Sequence, residues 1–166
     1  VRVSADAELQ TVSTNYPAIR FLSVPKVASQ EPKDNFKGSW HLCNPQTVAD
    51  FSAVAYSFGR RLHNTLGVPV GLIDNAWGGS AVEAWIPRDA LEGAGPYDEL
   101  LTSWDEEAAA MTDQIFATEV AAYKKWVADG EPGAKRLAPR DSRVSNHRPA
   151  NLFNGVLHPI IGYGIR

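Results

Sequence analysis

Apolar positions change their period several times along the chain, and each change predicts an element. In Ala18–Pro25 (AIRFLSVP) the side chains alternate, with Ile19, Phe21 and Ser23 on one side and Arg20, Leu22 and Val24 on the other, so a short strand closed by proline is expected. Residues 25–39 are polar, carry Pro25, Pro32 and Gly38 and show no helical stripe, which predicts a long surface loop. The next segment, NPQTVADFSAVAYSFGRRLHNTLG, repeats Val48, Phe51, Val54, Ala55, Phe58 and Leu62 at spacings of three and four. One helix is predicted across it, capped by Asn44, started by Pro45 and ended at Gly67.

Val68–Asp74 (VPVGLID) is almost continuously apolar and reads as a buried strand with its proline at the start. Two glycines and a second helical start follow at once. Helix, apolar strand, glycine turn and helix in that order are the rhythm of an α/β chain with a parallel sheet flanked by helices. Gly78 and Gly79 then fall at the carboxyl end of a strand, the edge where open α/β sheets bind ligands. Further on, PRDALEG predicts a helical turn ending at Gly93. Tyr97–Ala128 predicts one long helix, with Leu100, Trp104, Ala108, Met111, Ile115, Ala122 and Trp126 on its packed face. Residues 129–146 read as a loop, and IIGYGIR at the end reads as the approach to another strand.

Bulk properties narrow the function classes. The chain has 166 residues, 44% of them hydrophobic, and a formal net charge of -3, the composition of an ordinary globular domain. Lys and Arg are scattered, so no phosphate-binding stripe for nucleic acid is expected. The single cysteine, Cys43, excludes an intrachain disulfide. No apolar run reaches the roughly 20 residues of a transmembrane helix, so no membrane span is expected. The N-terminal stretch VRVSADAELQTV lacks the apolar core of a secretory signal.

Ser80 is the obvious candidate nucleophile. It sits in Gly78-Gly79-Ser80-Ala81-Val82, without the second glycine of a Gly-x-Ser-x-Gly elbow. A helix cap in capping-box register with Glu83, a nucleophile and a direct ligand contact are all open readings for it. The glycines suggest uncovered N–H groups able to hold an oxyanion, or simply close packing. Of the four histidines, His63 lies at a helix end, His41 and His147 in polar loops, and His158 before Pro159 in an apolar segment. None has an acid two or three residues before it, and none has zinc-like spacing to a second ligand, so neither a self-contained Ser-His-Asp set nor a metal site is expected.

Three stretches in order resemble the sialate O-acetylesterases, carbohydrate esterases of the SGNH/GDSL hydrolase superfamily: IRFLSVP, Asp50–Leu91 (DFSAVAYSFGRRLHNTLGVPVGLIDNAWGGSAVEAWIPRDAL) and Arg148–Arg166 (RPANLFNGVLHPIIGYGIR). The resemblance implies a three-layer α/β domain of which residues 1–166 are an incomplete part, with core-like parts 18–93 and 148–166 and a variable insertion at about 96–146. It implies hydrolysis of acetyl esters on sugars by a serine mechanism. Gly78 and Gly79 would supply oxyanion-hole amides, and Trp77, Ser80, Glu83, Trp85 and Asn154 would face the substrate, with simple core packing the other reading of either tryptophan.

The family's Gly-Gln-Ser-Asn, Trp-Tyr-Gln-Gly-Glu and Asp-x-x-His blocks do not occur in this chain, so an internal fragment, inactive alone, is expected. The partner implied is an acetylated sugar or glycan, with no cofactor, and the compartment implied is secreted or periplasmic. The alternative is a non-catalytic carbohydrate-binding or interaction module derived from the same fold.

Overall fold

The alternation around Phe21 produces strand β1 (Tyr16–Ser23) in the computed structural model, which describes residues 1–164. Parallel to it lies β3 (Val70–Asp74), with Ile19 opposite Val70 and Phe21 opposite Leu72. A three-residue edge strand, β2 (His41–Cys43), pairs antiparallel with the other side of β1 and makes the sheet mixed, in the order β2-β1-β3. His41 is therefore a strand residue and not part of a polar loop.

These strands belong to the first of two structural units, Val1–Pro25 with Asn35–Ala76. Its core joins Ile19, Phe21, Cys43, Val70 and Leu72 of the sheet to Val48, Phe51 and Tyr56 of the helices, and each such side chain contributes about 1.5–3 kcal/mol by leaving water. Phe21 and Phe51 stack with ring centroids 4.0 Å apart, and Tyr56 meets Phe21 edge-on. The Tyr56 hydroxyl stays satisfied in this core by pairing with Thr14 Oγ1 at 2.7 Å. Burial pushes the Cys43 thiol up to about 11, which leaves it an inert core residue.

The single helix expected from Asn44 to Gly67 is two. Helix α1 (Ala7–Val12) precedes β1, α2 (Pro45–Val48) starts at the Asn44 cap, and α3 (Ala53–Leu66) starts at a second cap, Ser52. The break puts Phe51 onto Phe21, an arrangement that a continuous helix would not provide. It also rotates the apolar stripe: Tyr56 and Gly59 face inward, while Val54 and Phe58 are 82% and 64% exposed. Gly59 lets α3 approach the sheet, since a Cβ there would lie 2.5 Å from Leu72 Cδ1. Gly67 ends the helix in the left-handed conformation, as expected.

The second unit comprises Lys26–Asp34 and residues 77–166, of which Ile165 and Arg166 lie outside the described residues. It holds α4 (Arg88–Leu91), α5 (Asp98–Ala110) and α6 (Asp113–Ala128). The long helix expected at Tyr97–Ala128 is thus interrupted at Met111–Thr112, where the Thr112 hydroxyl accepts from the Ile115 N–H and starts α6 anew. Beyond the irregular stretch after Ala128, Phe153–Leu157 forms a short π-helix. Described residues 161–164 form no strand, and the rest of that expected strand approach lies outside the described residues.

Segment Lys26–Asp34 is strapped onto this last helical stretch. The Ser29 N–H donates to Asn151 O and the Lys33 N–H to Asn154 O, at 3.0 and 2.9 Å. Asn151, fully buried, donates to Ser145 O at 2.8 Å and accepts from Gln30 Nε2. The Asn154 amide donates to Gln30 O at 2.6 Å. Gly155 sits so close to the strap that a Cβ would overlap the Val27 carbonyl and reach within 3.2 Å of the Ser29 nitrogen.

Candidate active site

Residues 77–85 fold into a tight turn followed by a 3-10 turn (Val82–Trp85), and one hydroxyl organises both. Ser80 Oγ donates to the Trp77 carbonyl at 2.7 Å and accepts the indole N–H of Trp85 at 2.8 Å. Ser80 is therefore not the expected cap: Ala81, extended at φ -74° and ψ 148°, intervenes and holds the N-cap position without a side-chain bond. Nor does Glu83 complete a capping box. Its carbonyl accepts from the Ala150 and Ile86 N–H groups, tying the turn to the C-terminal stretch.

The nucleophile reading of Ser80 also lacks its base. Among the described residues, the histidine rings that form hydrogen bonds meet other partners: His41 meets Ser39, His63 meets Val68 O and His158 meets Lys33 O. Ser80→Ala is expected to leave the Trp85 N–H without its acceptor, lower stability by about 1 kcal/mol and shift tryptophan emission to the red. An unchanged melt and spectrum would show that the hydroxyl does not anchor the indole.

What the turn presents to solvent is backbone. Gly78 and Gly79 are exposed, and a Cβ on either would meet nothing within 4 Å. Close packing is thus not their reason. Gly79 needs its lack of side chain for conformation, at φ 72°, whereas Gly78 has no such requirement. Among the described residues, neither N–H donates a hydrogen bond to protein, while the Gly79 carbonyl is reached by Asn146 Nδ2 at 3.4 Å. Two free amides on a loop pinned from both ends can receive an oxygen that becomes negative during a reaction.

The side chains around these amides are unequal candidates. Trp77, Ser80, Glu83 and Trp85 are all half-buried on the turn or just after it. Asn154 is brought into the same unit but is buried at 7% exposure, with its amide held by the strap. Asn146 escaped the sequence reading because it lies in a stretch without periodicity, 67 positions from the glycine it touches.

An ionic cluster braces this unit. Arg88 on α4 donates to Asp105 on α5 through both terminal nitrogens, at 3.1 and 2.5 Å, and through Nε to Glu92 at 2.7 Å. Arg148, whose side chain is 13% exposed, reaches the same Asp105 at 3.0 Å. Hydrogen bonds from Arg88 hold the Asp105 carboxyl below its ordinary value of 3.8, opposed by partial burial and reinforced by Arg148.

No three His, Cys, Asp or Glu side chains among the described residues could together hold a metal ion. Among the described residues no helix is long and apolar enough to cross a membrane.

No family model matches the chain. It is similar to the sialate O-acetylesterase of Mus musculus, 32% identical over 166 residues that cover 95% of this chain and 28% of that protein. The Rattus norvegicus protein of the same name is 26% identical over 95% of this chain and 29% of its own length. The Homo sapiens one is 30% identical over 58% of this chain and 21% of its own length. A crystal structure of a carbohydrate acetylesterase from Xanthomonas citri matches 98% of this chain and 27% of its own, with a TM-score of 0.62 and 23% identity, a likeness of fold. The chain thus spans under a third of the length of the curated relatives it matches.

Proposed function

We propose that this chain, which is related to the sialate O-acetylesterases and shares the α/β fold of a carbohydrate acetylesterase, supplies the oxyanion-binding part of a sugar O-acetylesterase. The observation that carries the reading is the exposed pair Gly78 and Gly79, whose N–H groups meet no protein acceptor among the described residues, on a turn fixed by Ser80 and Trp85. Trp77 and Trp85 flank that turn and offer apolar surface to a sugar ring.

In the reaction, a serine from another segment of the larger protein attacks the acetyl carbonyl carbon while a histidine takes its proton. The carbonyl oxygen becomes an oxyanion within reach of the glycine amides. As the tetrahedral centre collapses, the sugar oxygen leaves with the proton held by the histidine. Water then attacks the acetyl-serine, giving its proton to the histidine, and the second such centre collapses to acetate as that proton returns to the serine oxygen. Because the amides are already oriented, the negative charge is met without reorganisation of the loop, the condition under which such donors contribute most.

The test is Gly79→Asp in the longer protein that contains this chain, assayed on an O-acetylated sialic acid. A carboxylate there repels the oxyanion and strains a backbone at positive φ, so kcat is expected to fall by about 10²–10³ with little change in KM. Gly78→Ala, which meets no neighbour, is expected to leave the melt of the chain unchanged. Full activity in Gly79→Asp would overturn the oxyanion assignment. Turnover by the isolated 166-residue chain, abolished by Ser80→Ala, would replace it with a Ser80 mechanism.

A further inference from the structure

The face of the sheet turned away from the Phe21 core carries a groove of about 520 Å³, within the usual range of small-molecule sites. Its floor follows from strand register. Arg20 on β1 pairs with Gly71 on β3, so a side chain stands beside a position that has none. Trp40, just before β2, lies over that vacancy: a Cβ at Gly71 would come within 3.2 Å of the indole. Pro17 and Pro69 also line it.

Three properties point to a ligand. The Trp40 ring is 38% exposed, so apolar surface remains open after it packs on Gly71. Arg20 is exposed and, among the described residues, makes no hydrogen bond or ion pair; it is also the only charged side chain lining the groove. The Trp40 indole N–H likewise has no acceptor among the described residues. An aromatic plate with a cation and a free donor beside it suits a ring with one apolar C–H face and a carboxylate, because a guanidinium grips a carboxylate with two parallel hydrogen bonds.

We infer that the Arg20–Trp40 groove is a binding subsite for a carboxylated pyranose, built from residues other than those of the Gly78–Gly79 turn. The sugar's apolar face stacks on Trp40 and its carboxylate pairs with Arg20. The choice of an acidic sugar rests on the acetylesterase reading, since the relatives are named for a sialate ester. The placement of the groove does not.

The experiment titrates the 166-residue chain with N-acetylneuraminic acid, which has no O-acetyl group to hydrolyse, and follows the indole 15N–1H signals, that of Trp40 being identified by its loss in Trp40→Ala. Saturable shifts of the Trp40 signal are expected, with a Kd on the order of 1 mM. Arg20→Gln is expected to weaken binding about tenfold, and the C1 carboxamide of the sugar to bind the unaltered chain equally weakly. Arg20 is exposed and unpaired, so Arg20→Gln reports on binding even if Trp40→Ala fails to fold.

Gly79→Asp is expected to leave the titration unchanged. No saturable shift, or equal affinity for the carboxamide, overturns the subsite. So does binding lost in Gly79→Asp but kept in Arg20→Gln, which would place the sugar at the glycine turn and leave the acetylesterase reading standing. Binding through Arg20 alongside a fully active Gly79→Asp enzyme would uphold the groove while the oxyanion assignment falls.

Discussion

Gly155→Ala is expected to lower the stability of the chain by about 3 kcal/mol, which for a chain of this size is a drop in melting temperature of roughly 6–12 °C. The reason is a backbone obstacle. The added methyl would overlap the carbonyl of Val27 and crowd the Ser29 nitrogen, and neither group can swing aside as a side chain can. Relief requires moving Lys26–Asp34 or the Phe153–Leu157 helix, and either movement stretches the Ser29–Asn151, Lys33–Asn154 and Asn154–Gln30 hydrogen bonds together. Hydrogen exchange separates this local effect from a general one: the Ser29 and Lys33 amides are expected to lose protection while those of β1 and β3 keep it. A melt within 1 kcal/mol of the parent, with both amides still protected, would mean that the strap is not held against the helix.

Asp105→Asn removes a carboxylate on which two arginines converge. Arg88 retains Glu92, but among the described residues Arg148 is left with only a long contact to Arg143 O, and its Nε is already buried without a partner there. Loss of charge-assisted hydrogen bonds, discounted because Asp105 is 43% exposed, gives an expected destabilisation of about 1–2 kcal/mol at neutral pH.

The pH dependence has a definite sign. The folded protein holds this carboxyl below its unfolded value, so its contribution is fully present above that unfolded value of 3.8 and is lost as pH falls through the folded one. Asp141, held down by Arg143, acts in the same direction. The parent should therefore lose stability below about pH 4 more steeply than Asp105→Asn does. Parallel acid denaturation curves for the two proteins would show that the Arg88–Asp105–Arg148 cluster carries no such linkage.

Legibility in the sequence followed the range of the forces involved. The Asn44 cap, the first-turn Pro45, the left-handed Gly67 and both long strands were readable because each depends on residues within one turn or one strand. The breaks at Ala49–Ser52 and at Met111–Thr112 carried a local signal, the caps Ser52 and Thr112, which the apolar period running through them concealed. The exposed face of α3 was not readable at all. Val54 and Phe58 fit the stripe as well as Tyr56 does, and only packing on Leu72 through Gly59 decides which face turns inward.

The openness of the glycine turn was legible, because two adjacent residues without side chains leave the backbone uncovered. The role of Ser80 was not. Its two hydrogen bonds run to Trp77 and Trp85, three and five positions away, and with Ala81 extended the helical register that a capping box requires is lost. Asn151 and Asn154 belong to a third kind. Their partner Gln30 stands more than a hundred residues earlier, and no local pattern announces such a contact.

That separation also bears on the order in which the chain can acquire its structure. The first unit has all its residues once Ala76 has been synthesised, and its sheet pairs strands within that length. Lys26–Asp34 is made more than a hundred residues before Asn151, Asn154 and His158, which hold it. Until those residues are made the strap is an unsatisfied loop, and closing it needs one long-range encounter rather than local zippering. The second unit should consequently follow the first in a single slow step that waits for residues 151–158 to be made.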